Sequence, residues 1–112
     1  MEDCLFCKIA ERKVPSTIVY ETGEVLAFND INPMAPTHIV IIPKQHIEST
    51  DELDVNNYDA AGKLILAATA IAREKKLDGY RLVINCKEIA GQSVFHLHCH
   101  LLSGRPMHWP PG

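Results

Sequence analysis

The run Phe95-His96-Leu97-His98-Cys99-His100-Leu101-Leu102 constrains this chain more than any other. Side chains alternate along an extended strand, so His96, His98 and His100 share one face and Phe95, Leu97, Cys99 and Leu101 the other. At about 3.4 Å of rise per residue, neighbouring imidazoles leave the backbone about 7 Å apart, close enough to share one substrate. The apolar set needs a packing partner. The segment therefore reads as an amphipathic core strand whose polar face is made wholly of titratable groups.

The rest of the sequence supplies the partners. Residues 4–13 form a short amphipathic helix, broken at Val14-Pro15-Ser16. TIVYE and EVLAFND flank Thr22-Gly23 as a tight hairpin over 17–30. Asn32-Pro33-Met34-Ala35-Pro36 is a loop stiffened by two prolines, and the apolar run 38–43 is a strand buried on both faces. Ser49-x-x-Glu52 resembles a capping box. Ala61, Leu64, Ile65, Ala68 and Ile71 or Ala72 then repeat at helical spacing, which predicts one amphipathic helix over about 55–76, closed near Gly79. Strands over 80–86 and 93–103 complete an α+β domain: a five-stranded antiparallel sheet with one long and one short helix, in a single domain over 1–112.

Composition narrows the function. A chain of 112 residues, 46% apolar and 22% charged, suits one compact domain. Eleven Lys and Arg against 14 Asp and Glu leave a net charge of −3, so a nucleic acid polymer is not the expected partner. The longest apolar stretch, 64–72, is too short to span a membrane, and none is expected as a partner. The acidic start without an apolar h-region predicts a cytoplasmic location, with the nucleus as a second compartment. Such a reducing setting disfavours disulfides among the four cysteines; Cys86 and Cys99 read as small buried thiols. Cys4-x-x-Cys7 reads as half of a zinc site or as a redox pair.

Gly91-Gln92-Ser93, just before the histidines, is a small-residue turn whose N–H groups and hydroxyl can approach an anion. His38, opening the third strand, is a fourth imidazole that could orient one of the three.

The pattern His96-Leu97-His98-Cys99-His100-Leu101-Leu102 resembles the signature of the histidine triad (HIT) superfamily. The likeness extends through FCKIAERKVPSTIVYE, AFNDINPMAPTHIVIIPKQHI and RLVINCKEIAGQSVFHLHCHLLSGRPMHWPPG. The closing MHWPPG resembles the Hint branch, the histidine triad nucleotide-binding proteins. That resemblance implies a homodimer whose two sheets join. It also implies release of AMP or GMP from purine nucleoside phosphoramidates or acyl-adenylates, by way of a covalent nucleotidyl-histidine.

By the same resemblance His98 is the nucleophile, His100 contacts the phosphate, His38 holds the nucleophile's other nitrogen, and Ser93 assists. Asp30 accepts the ribose hydroxyls; Phe6, Ile9, Phe28 and Ile31 clamp the base. Asn85, Gly91, Gln92 and Ser93 meet the phosphate and leaving group, and Trp109 reaches the partner subunit's leaving-group side. Cys4, Cys7, His46 and His96 match a structural zinc set, and no organic cofactor is expected.

Two other readings compete. The protein could be a nucleotide-binding scaffold or regulator with slow residual hydrolysis, since one pocket serves both tasks. The triad spacing alone also permits a metal-dependent hydrolase with His96, His98 and His100 as ligands, although no acid is placed beside the triplet by motif.

Overall fold

Where each strand turns its side chains explains why the molecule has two unequal faces. The structure, a computed structural model, describes residues 3–112. Along the chain come helix α1 (Leu5–Ala10), strands β1 (Ile18–Glu21), β2 (Val25–Asn29) and β3 (Thr37–Pro43), helix α2 (Asp59–Glu74), and strands β4 (Arg81–Val83) and β5 (Cys99–Ser103). Short 3-10 turns occupy Thr50–Glu52 and Glu88–Ala90. The strands form one antiparallel sheet in the order β1-β2-β3-β5-β4. This is the expected five-stranded sheet with one long and one short helix.

Alternation on β2 and β3 sorts the core. Val25, Ala27, Ile39 and Ile41 join Leu97, Cys99 and Leu101 against the α2 residues Leu64, Ala67, Ala68 and Ile71. Leu26, Phe28, Val40 and Ile42 point the other way, against Phe6, Cys7 and Ile9 of α1. The continuous apolar run of β3 is thus buried on both faces, as a central strand between two layers must be. Six residues of α1 cover far less of their face than the 16 residues of α2 cover of theirs. His98 and His100 line the cleft that opens beside α1.

Several expected boundaries shift, each for a local reason. Helix α2 begins at Asp59 because Asp54 and Asn57 hold the preceding residues in a turn: Asp54 Oδ1 accepts from the Asn56 N–H at 2.8 Å and Asn57 Oδ1 from the Asp54 N–H at 2.7 Å. Ser49 caps the 3-10 turn at Thr50–Glu52, accepting from the Asp51 N–H, so the expected capping box does not start the long helix. The helix closes through Lys76 at φ 54°, before Gly79 is reached. Strand β4 stops at Val83, which leaves Cys86 half-buried beyond it. Strand β5 begins only at Cys99, because the Leu97 N–H donates to the Ile47 carbonyl at 2.6 Å in place of a ladder partner. Phe95, expected in the core with Leu97, is 47% exposed.

Candidate active site and metal centre

Phe6 and Ile9 stand three residues apart on α1 and so share the helix side facing the sheet. Between them and the strands opens a cleft of about 290 Å³, lined also by Ser16, Phe28, Asp30, Ile31, Ser93, His98 and His100. The Phe6 ring meets Phe28 edge-on at 5.4 Å and His98 at 5.0 Å. The four expected base-clamp residues, Phe6, Ile9, Phe28 and Ile31, all line this cleft, with Ile31 exposed at its rim. Asp30 accepts the Asn32 N–H on Oδ1 at 2.8 Å and turns Oδ2 to within 3.4 Å of His38 Nε2. The Ser16 hydroxyl, on the same wall, is buried and makes no hydrogen bond among the described residues.

Backbone groups set the proton on His98 and His38, and His38 in turn sets it on His100. A carbonyl only accepts, so the 2.6 Å contact between His98 Nδ1 and the His96 carbonyl places the His98 proton on Nδ1 and leaves the Nε2 lone pair free. A peptide N–H only donates. The Met34 N–H, 3.0 Å from His38 Nδ1, therefore puts the His38 proton on Nε2, which donates to His100 Nδ1 at 2.9 Å. His100 then carries its own proton on Nε2, the nitrogen turned away from His38. His38 thus orients His100, while His98 Nδ1 is held by the His96 carbonyl; this corrects the expected partner of His38. Buried and 8% exposed, His38 is no strand-end surface residue.

Burial keeps these rings uncharged. Desolvation lowers the His98 pKa despite its bond to the His96 carbonyl, and lowers that of His38 despite the Asp30 carboxylate. His100 falls to about 4, chiefly by burial and then by repulsion from His98 and His38. Neutral His98 is the form that can use its lone pair.

His96 faces elsewhere. Its Nε2 donates to the Pro43 carbonyl at 2.7 Å, which turns the Nδ1 lone pair toward Cys4 Sγ at 3.2 Å and Cys7 Sγ at 3.5 Å. His46 Nδ1 lies 3.4 Å from Cys7 Sγ, and all four ligand atoms fall within 4.8 Å of one another. A zinc tetrahedron with ordinary Zn–S and Zn–N bonds has S···N edges of about 3.6 Å, so the donor set fits the ion. Burial, with Cys4 beside it, pushes the Cys7 thiol up to about 11, a cost that a bound divalent cation offsets. The three triad histidines do not converge as one ligand set, contrary to the reading from spacing alone. A second grouping, Asp30, His38 and His100, also lies within 4.8 Å, but there His38 Nε2 carries a proton and has no lone pair to give.

Three expected contacts, Asn85, Gly91 and Gln92, lie off the cleft wall. Gln92 is 1% exposed and its amide is spent on the backbone: Oε1 accepts from the Lys87 N–H at 2.7 Å, and Nε2 donates to the Glu48 and Val94 carbonyls. It braces the loop that carries Ser93. Gly91 sits at φ 100° with the Asn85 amide alongside, and neither lines the cleft. Trp109, expected at the partner subunit's site, is 84% exposed. The backbone groups of Met34, Pro43 and His96 carry no sequence signal, since every residue has them.

A match to the HIT domain covers residues 11–107. The chain belongs to the HIT domain family. This HIT chain is 48% identical to a 14 kDa zinc-binding protein of Zea mays, over 96% of this chain and 87% of the maize protein. It is 44% identical to the purine nucleoside phosphoramidase of Escherichia coli K12, over 95% and 91% of the two chains. The crystal structure of a HIT family hydrolase from Legionella pneumophila Philadelphia 1 superposes with a TM-score of 0.94, at 46% identity over 98% of this chain and 100% of that one. Among the described residues of this HIT protein, no helix is long and apolar enough to cross a membrane.

Proposed function

We propose that this protein hydrolyses purine nucleoside phosphoramidates and acyl-adenylates to the nucleoside monophosphate through a nucleotide bound covalently to His98. The observation that carries this reading is the His98 ring itself, neutral, with Nδ1 tied to the His96 carbonyl and Nε2 bare in a cleft walled by Phe6 and Ser93. The phosphoramidase name of the Escherichia coli relative supports the substrate class. In the first step the Nε2 lone pair attacks the α-phosphorus; in a phosphoramidate the P–N bond breaks, its electron pair leaves with the amine and the amine takes a proton from solvent, whereas in an acyl-adenylate the P–O bond breaks and the carboxylate leaves with the pair. In the second, water attacks phosphorus, the P–Nε2 bond breaks, and one proton returns to solvent, so His98 ends neutral.

The neighbours stabilise both steps. His100 Nε2–H donates to a phosphoryl oxygen, and Ser93 adds a hydroxyl beside it. Asp30 Oδ2 accepts from the ribose, while the apolar clamp holds the base and the unpartnered Ser16 hydroxyl offers that base one polar contact. Cys4, Cys7, His46 and His96 would hold zinc, which supplies structure alone because four protein ligands leave no open position.

Incubation with adenosine 5′-phosphoramidate releases AMP, and His98→Ala abolishes release while AMP still binds. Retained turnover in that variant overturns covalent catalysis. The working unit is a homodimer: β4 is an edge strand, and Leu66 and Trp109 stand exposed without cover from the chain's own elements. Sedimentation at monomer mass would contradict it.

A further inference from the structure

Where β5 ends at Ser103, opposite Thr37, the chain turns back over the proline loop. Gly104 makes this turn at φ 98°, and a Cβ there would meet Pro36 Cβ at 2.7 Å, so only glycine lets the tail lie against the loop. The next residue reaches further. Arg105 donates from Nε at 3.2 Å and from Nη2 at 2.9 Å to one acceptor, the Met34 carbonyl, while Nη1 donates to the Pro106 carbonyl at 3.1 Å.

Met34 is the residue whose N–H donates to His38 Nδ1. Its neighbours are already stiff: Pro33 and Pro36 have fixed φ, and Ala35 is confined by the proline after it. The peptide plane after Met34 is the softest part left in the loop, and the guanidinium fork takes hold of it. An unbroken chain then runs from Arg105 through Met34 and His38 to His100.

We propose that Arg105 is a positioning residue for the reaction. It holds Met34 so that the Met34 N–H stays on His38 Nδ1, which keeps the protons of both His38 and His100 on Nε2. Released, Met34 swings, His38 samples its other tautomer, and the proton of His100 no longer faces the phosphate. The effect on turnover rests on the hydrolase reading; the effect on the rings does not.

The test is nitrogen-15 NMR of the histidine rings in the parent, Arg105→Ala and Arg105→Lys proteins without substrate, with turnover measured alongside. Arg105 is exposed, so its replacement leaves both core layers intact. In the parent, His38 Nδ1 reads as an unprotonated acceptor. In Arg105→Ala the His38 and His100 signals move toward a mixture of tautomers, and kcat falls about tenfold with KM within about twofold. Arg105→Lys, with one donor in place of the fork, recovers part of both effects. Unchanged ring signals in Arg105→Ala overturn the proposal. Absence of phosphoramidate turnover in the parent counts against the hydrolase reading alone.

Discussion

His38 Nε2 and His100 Nδ1 lie 2.9 Å apart, and the proton between them belongs to His38. The donor on the far side, a peptide N–H, cannot be reversed by pH or ligand, so the polarity of the pair is built into the backbone. Replacing His38 by Ala leaves His100 Nδ1 without its donor and frees the ring to flip tautomer. Turnover of adenosine phosphoramidate should fall about a hundredfold with KM nearly unchanged, as loss of an orienting group predicts. His38→Gln, which still offers an N–H, should recover part of the loss. Steady-state kinetics on the two variants checks this, and an unaltered kcat in His38→Ala would break the link.

The lowered pKa of His100 has a definite sign for stability. The folded ring takes up its proton only near pH 4, whereas an unfolded imidazole does so near about 6.5. Between these values the unfolded chain binds more protons, so this contribution is intact above about pH 6.5 and is lost as pH falls toward 4. His38, shifted in the same direction, adds to the loss. The urea midpoint should therefore be lower at about pH 5.5 than at about pH 7.5, and His100→Gln should narrow the gap.

Removal of zinc is expected to loosen α1 from the sheet, since Cys4 and Cys7 sit at the start of that helix and His96 leads into β5. Free metal a thousandfold above its Kd would contribute about 4 kcal/mol, lost on chelation. Elemental analysis of protein prepared without chelator should find near-stoichiometric zinc, and Cys7→Ser should lower both the zinc content and the melting temperature. Metal-free protein with an unchanged melting curve would dismiss the site.

The two layers should be separable by mutation. Leu64 is fully buried between α2 and the sheet face that lies away from the cleft. Leu64→Ala should cost about 3 kcal/mol through lost burial and a residual cavity. Turnover per folded molecule should stay within about twofold, because none of the cleft residues belongs to that layer. Chemical denaturation and kinetics on one preparation compare the two quantities.

Much of this was legible because it follows from period. Alternation assigned Leu97, Cys99 and Leu101 to the α2 core, and the run of β3 announced burial on both sides. The triad's resemblance brought in Cys4, Cys7 and His46, whose convergence on His96 spacing alone would not reveal. What stayed hidden depends on backbone groups or on local competition. Asp54 and Asn57 delay α2 through side-chain turns that outcompete helix. Gln92 looked like a phosphate contact but serves three peptide groups. The switch of His38 from His98 to His100 is decided by the Met34 N–H and the His96 carbonyl, groups that no side-chain pattern encodes.

The cleft draws its walls from α1, β2, the loop after it, and the approach to β5, so no contiguous fragment contains it. A nascent chain that stopped before Ser93 would already hold Phe6, Ile9, Phe28, Asp30 and His38, yet lack Ser93, His98 and His100. His38 and His100 are 62 residues apart and meet only once β3 and β5 have zipped in register. The His38–His100 contact is consequently a reporter of completed synthesis: it closes only after nearly all of the chain has been made and folded.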